Sequence, residues 1–310
     1  MGVAVAFIIF KRVDKAEKVF EVIRQVKPSK LFVIADGPRA EHVDESEKCE
    51  ATRAIIERVD WDCQVLKNYS DVNLGCGKRV ASGLDWVFTH VEEAIILEDD
   101  CIVHPTFFAF CEELLERYRC DKRVISISAQ NVQLCNKRTE YSYYFSRYCH
   151  SWGWATWKRA WQNFDIDMKI WPEVKNQNLL SEILTDVQTL RYWSEIFQMT
   201  YEEHYNIWDY QWMLSCWMQN GLSIIPNVNL VSNIGFGLDS TNTKIKDNKT
   251  VEMPTLAMEF PLKHPPFIIR NASADNFAQK IAFEGGWLKQ FKASVRKVIK
   301  SKAHLGISKS

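Results

Sequence analysis

An α/β protein built on a doubly wound, mostly parallel sheet is what this sequence predicts, and three observations carry the prediction. Short apolar runs at residues 3–10, 31–35, 63–69, 94–97 and 124–128 alternate with segments whose apolar residues recur at helical spacing. Several of the runs lack the polar alternation of a half-exposed strand, as strands covered on both faces require. The runs also end in polar residues (Lys11-Arg12, Asp36, Glu98-Asp99-Asp100), which places chemistry at one sheet edge.

Taken in order, residues 3–10 form the first strand, and Ala16, Val19, Phe20, Ile23 and Val26 mark the helix that Lys27-Pro28 stops. Residues 31–35 form the second strand, closed by the turn Asp36-Gly37-Pro38, and a charged helix with Ile55, Ile56 and Val59 on its apolar side follows. Residues 63–69 are the third strand, Val80, Leu84, Val87 and Phe88 mark the third helix, and residues 94–97 are the fourth strand. A helix at 107–118 and a strand at 124–128 complete the regular part. Beyond it the pattern predicts an exposed strand at 141–148, a turn into a helix at 151–157, two or three helices within 179–220, and two short strands within 222–231 split at Pro226.

At 310 residues and 46% hydrophobic content the chain can fill a sizeable core. The formal net charge of zero gives no reason to expect a nucleic-acid partner. Nine cysteines show no CxxC pair or Cys/His cluster of zinc spacing, so they are expected as reduced core residues of a cytoplasmic protein. No run approaches a membrane span. After Glu284 the chain carries seven basic residues and no acid, with Phe291, Val295, Val298 and Ile299 at helical spacing. That pattern suits either a solvated terminus or peripheral contact with the inner face of a membrane. Most of the twelve tryptophans fall between Trp152 and Trp217, and for most of them core area is the expected use.

The chemistry concentrates in Glu98-Asp99-Asp100. Adjacent carboxylates raise each other's pKa and destabilise a fold unless a cation or hydrogen bonds compensate. A solvated turn is the plain alternative. Lys11, Arg12 and Asp36 on the same edge suit a nucleotide diphosphate, with a divalent ion on Asp100 neutralising it. An ATPase is disfavoured because Gly75-Cys-Gly77-Lys78 lacks the upstream glycine and the following Ser/Thr of a phosphate loop. No GxGxxG follows a strand, which disfavours a dinucleotide enzyme.

Residues 73–131 resemble the GT-A glycosyltransferases, and within them the inverting group typified by Golgi N-acetylglucosaminyltransferase I. The helix from Arg79, the strand into Glu98-Asp99-Asp100, the Pro105-Thr-Phe-Phe helix start and Ser128-Ala129-x-Asn131 come in the same order. The second half is more similar to bacterial nucleotide-diphospho-sugar transferases. The resemblance implies a GT-A-like sheet with a helical, Trp-rich acceptor half, using Mn2+ or Mg2+ on Asp100. It implies a nucleotide-sugar site of Phe10, Arg12, Asp36, Arg79, Glu98 and Asp99, with Arg12 and Asp36 reading uracil. Trp152, Gly153, Trp154 and Trp208 are then the acceptor and sugar pocket, and Asp209 the catalytic base, with Asp165, Asp167, Glu202 and Glu203 as competitors. The implied organisation is a nucleotide-sugar-binding half (1–135), an acceptor-binding and catalytic half (136–270) and a basic tail (271–310). The implied function is transfer of a hexosyl or N-acetylhexosaminyl group from a UDP-sugar to a glycan or lipid-linked saccharide. A catalytically silent sugar-nucleotide or glycan-binding module on the same fold is the alternative.

Overall fold

A computed structural model describes residues 2–203, 206–235 and 253–283. Its regular part follows the predicted order: β1 (Ala4–Ile9), α1 (Val13–Val26), β2 (Lys30–Ala35), α2 (Glu45–Ala54), β3 (Gln64–Tyr69), α3 (Cys76–His90) and β4 (Glu93–Glu98). In α1 the residues Ala16, Val19, Phe20 and Ile23 are fully buried on one face. The helix stops where Lys27 takes a left-handed conformation just before Pro28.

Further along the chain come β5 (Cys101–Val103), α4 (Thr106–Arg117), β6 (Val124–Ser128), β7 (Tyr143–Ser146), β8 (Trp154–Trp157) and α5 (Lys158–Trp161). The chain continues with α6 (Trp171–Asn176), α7 (Leu180–Ile183), α8 (Val187–Glu203), α9 (Asp209–Met218), β9 (Leu222–Pro226), β10 (Val231–Asn233) and α10 (Ala272–Ala278).

Eight strands form one sheet in the order β3-β2-β1-β4-β8-β6-β9-β7, and β10 pairs with β5 in a separate two-stranded sheet. The β3, β2, β1 and β4 ladders are parallel, and β6 pairs β9 parallel, whereas β8 and β7 run antiparallel to their neighbours. The mixed sheet, mostly parallel with helices on both faces, is the architecture expected from the sequence. Successive residues of β1 feed opposite cores. Val5, Phe7 and Ile9 pack with α1 and α4, while Ala4, Ala6 and Ile8 pack with α3, α8 and α9. The halves expected on either side of residue 135 share this sheet, since β8 lies between β4 and β6.

Two expected elements differ. Residues 151–157 do not turn into a helix. Trp154 to Trp157 form a strand, with Trp154 in one core and Ala155 and Trp157 in the other, and the helix begins only at Lys158. Four residues are too few for periodicity to separate strand from helix. β7 is not an exposed strand either. All four of its residues are buried because the chain at 260–283 returns across it: Tyr143 Oη lies 3.0 Å from His264 Nδ1, and Ser146 Oγ donates to Asp275 Oδ1 of α10 at 2.5 Å.

The tryptophans serve mainly as core. Trp154, Trp161, Trp171, Trp193, Trp208, Trp212 and Trp217 are buried and packed against other rings, and the buried Trp157 has the Arg159 guanidinium over its ring. All nine cysteines are free thiols. Among the described residues no helix is long and apolar enough to cross a membrane. The expectation for the basic tail falls on residues 284–310, outside the described residues.

Candidate active site

In an open parallel sheet a crevice forms at the carboxyl ends of neighbouring strands whose connections leave in opposite directions. β1 and β4 are such a pair, because β1 connects outward to β2 while β4 leads toward β6. Phe10-Lys11-Arg12 follows β1 and Glu98-Asp99-Asp100 ends β4, so the polar groups picked out in the sequence do meet there.

Their partners are not those the resemblance implies. The Arg12 guanidinium bridges the triplet: one nitrogen pairs with Asp99 Oδ1 and another lies 2.8 Å from Asp100 Oδ2. The Asp99 carboxylate also accepts from the Phe10 backbone N–H at 3.3 Å. Burial opposes the charge on Arg12, but Asp99 and Asp100 outweigh it and hold the guanidinium protonated. Arg12 is thus engaged with both carboxylates in this structure. An arginine fork satisfies two adjacent buried carboxylates better than any neighbouring partner can. Lys11 is taken by Glu45, which also binds Arg39.

Asp36, the other expected base-reading residue, is committed as well. Its Oδ1 accepts from the N–H groups of Gly37 and Leu74, each at 2.9 Å, and its Oδ2 accepts from Asn73 Nδ2 and Gly75 N, each at 3.0 Å. Four donors fill the capacity of a carboxylate. Asp36 thus holds the loop before α3. Arg79 lies on α3, buried, with one nitrogen donating to the Asn68 carbonyl and side chain at the end of β3, away from the triplet.

Glu98 has a different environment. Burial and the nearby Asp100 push its pKa up to about 8, with smaller contributions from Asp99 and Asp209 against the opposing pull of Arg12. Asp209, the first residue of α9, comes from the far half of the chain, and Trp208 just before it stacks on Trp154, the partner of Ile96 in β4. Burial raises its own pKa, and its side chain accepts from the Tyr210 N–H at 3.1 Å. The competing acids Asp165 and Asp167 bind the Lys169 corner instead. Glu202 is exposed and accepts from Gln198, and the side chain of Glu203 lies outside the described residues.

The expected sugar pocket is closed by stacking. Trp154 and Trp208 lie face to face with centroids 5.3 Å apart and planes 25° apart, both buried. Trp152 is partly exposed and packs against the core. Gly153 has φ +62°, and a Cβ there would come within 2.8 Å of Val103 Cγ1 and 3.2 Å of Ala129 Cβ. Its glycine is required for β8 to enter between β4 and β6.

Sequence reasoning missed the cover over Asp100. Asn233 Nδ2 is 3.4 Å from Asp100 Oδ1, the Ile234 N–H donates to the Asp100 carbonyl at 2.9 Å, and a Cβ on Gly235 would fall 2.0 Å from Oδ2. The Asn-Ile-Gly triplet, a polar residue and a glycine closing a short strand, was the available signal. Cys76 at the start of α3 also faces Glu98, Asp209 and Asp100, and burial with those charges raises its pKa.

Do these groups fit a divalent cation? The oxygen donors suit Mg2+ or Mn2+, and Arg12 pairs with two carboxylates but carries a single positive charge. Among the described residues, however, no group of three or more His, Cys, Asp or Glu side chains is placed to hold a metal by itself. The set fits an ion shared with substrate phosphates, held by one or two carboxylates, rather than an all-protein cage.

The site and sheet together define a mixed α/β protein with an acidic crevice at its topological switch point. No family model matches the chain, and no curated protein does. Among solved structures, a mannosyltransferase from Pyrobaculum calidifontis in complex with GDP-Man and Mn2+ is 13% identical over 51% of this chain, with a TM-score of 0.37. The chain spans 45% of that protein's length. Mouse xyloside xylosyltransferase 1 is 11% identical, covering 69% of this chain and 81% of that one, with a TM-score of 0.32. A UDP-glucose pyrophosphorylase complexed with UDP-glucose is 12% identical, covering 53% and 79%, with a TM-score of 0.30.

Proposed function

We propose that the chain is a metal-dependent, inverting glycosyltransferase that moves a sugar from a nucleotide sugar, taken as a UDP-sugar, to a hydroxyl of a glycan or lipid-linked saccharide. One observation carries the reading: Trp208, which precedes Asp209, stacks on Trp154, the partner of Ile96 in β4, so the start of α9 reaches from the helical half toward the strand that ends in Glu98-Asp99-Asp100. A proton acceptor and an acidic diphosphate site are the two parts a single displacement needs.

Asp209 takes the proton of the acceptor hydroxyl as it attacks the anomeric carbon. The burial that raises its pKa also makes it a better base than a solvated aspartate. Asp100, with Asp99, would hold Mn2+ or Mg2+, which when bound supplies charge neutralisation for the departing diphosphate. Asp36 acts earlier, by fixing the loop at 73–75 that shapes the β2 side of the crevice. A single displacement leaves the anomeric centre inverted.

The second reading, a silent sugar-nucleotide or glycan-binding module, is favoured by one observation: Arg12 already pairs with both Asp99 and Asp100. The test is release of nucleoside diphosphate from UDP-, GDP- and CMP-sugar panels with acceptor saccharides and Mn2+. Turnover that disappears in Asp209→Asn supports the transferase. Binding of a nucleotide sugar without turnover from any donor supports the module.

A further inference from the structure

Between residues 253 and 271 the chain forms no helix or strand, yet much of it is firmly held. Met258 and Leu262 belong to the core that contains Tyr143 and Phe145, and Ile268 packs against that core. Two ties fix the course of the chain beside β7. The Ser142 N–H donates to the Lys263 carbonyl and the Asn271 N–H to the Phe145 carbonyl, each at 2.8 Å. Ser142 and Phe145 lie about 10 Å apart on extended chain, far less than the stretch from Lys263 to Asn271 can span, so the excess bows outward. Phe267 and Ile269 on this bow are each 70% exposed, and Phe260, Pro261 and Pro266 are exposed beside them in the chain. Pro265-Pro266 fixes the backbone ahead of Phe267, so the ring is held in water by a stiff bend, while Ile268 next to it turns inward.

Two such side chains offer roughly 300 Å2 of apolar surface, well short of the ~800 Å2 per partner that a stable dimer buries. A lipid layer needs no such area, because each side chain inserts by itself. Charge points the same way. Lys263 and Arg270 flank the bow against the single acid Glu259, with Arg270 also 3.6 Å from Asp275, and after Glu284 the sequence carries seven bases and no acid. α10 and the helical turn Gln279–Phe283 lead from the bow to that basic stretch over about 20 Å, near enough for one surface to meet both.

We propose that the bow at 264–269 is a membrane-contact site. Phe267 and Ile269 enter the headgroup layer of an anionic phospholipid bilayer, and the basic stretch after Glu284 draws the chain to it. Each part is weak alone: two side chains hold poorly to a neutral bilayer, and bases without an apolar anchor are released by salt. β7 is the edge strand, four places from β4, so the contact leaves the crevice free and does not depend on the transferase reading.

The test is co-sedimentation of the full chain with vesicles of phosphatidylcholine alone and of phosphatidylcholine mixed with phosphatidylserine, without sugar donor or metal. Wild type and Phe267→Ser/Ile269→Ser are compared, with circular dichroism and the unfolding midpoint as checks on the fold. Wild type is expected to bind the mixed vesicles at least about ten-fold more tightly than the neutral ones, and the double variant to lose at least about ten-fold on the mixed vesicles. Should the double variant not fold, Phe267→Ser alone decides, with an expected loss of at least about three-fold. A folded variant that binds mixed vesicles as wild type does overturns the proposal, because the bases then act without the bow. Wild type that binds neither vesicle overturns it as well. Wild type that self-associates in gel filtration through the bow, ignores vesicles and becomes monomeric in the variant would give the surface to a second copy instead.

Discussion

Asp209 and Asp36 are both acids at the same crevice, and their hydrogen bonds give them opposite work. Asp209 receives one bond from the next backbone N–H, whereas Asp36 receives four. Asp209→Asn keeps the shape and removes the proton acceptor, so kcat in sugar transfer should fall by roughly 10²- to 10⁴-fold with the unfolding midpoint little changed. Asp36→Ala orphans four donors and should destabilise by about 3 kcal/mol or more in urea unfolding, while Asp36→Asn keeps part of the network. An Asp36→Ala protein as stable as wild type would contradict the structural role given to that carboxylate.

His150 supplies the pH prediction. It is 8% exposed, its ring lies parallel to Phe283 at 6.2 Å, and burial lowers its pKa to about 4. Because the folded value lies below the unfolded one, the unfolded chain takes up the proton first as pH falls. Stability is therefore full above about pH 6.5 and is lost progressively from there toward pH 4, by ~3 kcal/mol for this group. Urea midpoints of wild type and His150→Phe should diverge across that window, with the variant losing less. Parallel curves would show that the ring is not held neutral.

At the scale of elements, the strands that read most clearly were those buried on both faces. Residues 94–97 carry no polar alternation because α3 and α4 cover the two sides of β4. β8 was illegible for the converse reason: its four residues slot in antiparallel between two strands that come earlier in the chain, a placement that local pattern does not encode. Gly153 carries that placement. Gly153→Ala combines a left-handed φ with a 2.8 Å contact on Val103 and should cost about 1–3 kcal/mol, measured as a lowered unfolding midpoint. The site was legible as an edge and not as a set of pairings. Arg12 had Asp36, Glu98, Asp99 and Asp100 within possible reach, and a rotamer chose among them. The Asp36-Gly37-Pro38 turn signal did not name that aspartate's use, because no turn forms there and its carboxylate holds the loop at 73–75.

For the whole molecule, the central feature is an excess of negative charge at the switch point of a sheet that both halves of the chain build. Three carboxylates at the end of β4 converge there, and a single guanidinium offsets part of their charge. Such an arrangement is stable in a resting protein and becomes useful when a cation-bearing anion arrives.

The most direct measurement is nucleoside diphosphate release from a nucleotide-sugar panel by wild type, Asp100→Asn and Asp209→Asn, each with Mn2+ and with EDTA. The account predicts release by wild type only in the presence of Mn2+, and its loss in both variants. Release that persists in EDTA, or that survives Asp209→Asn unchanged, would contradict it.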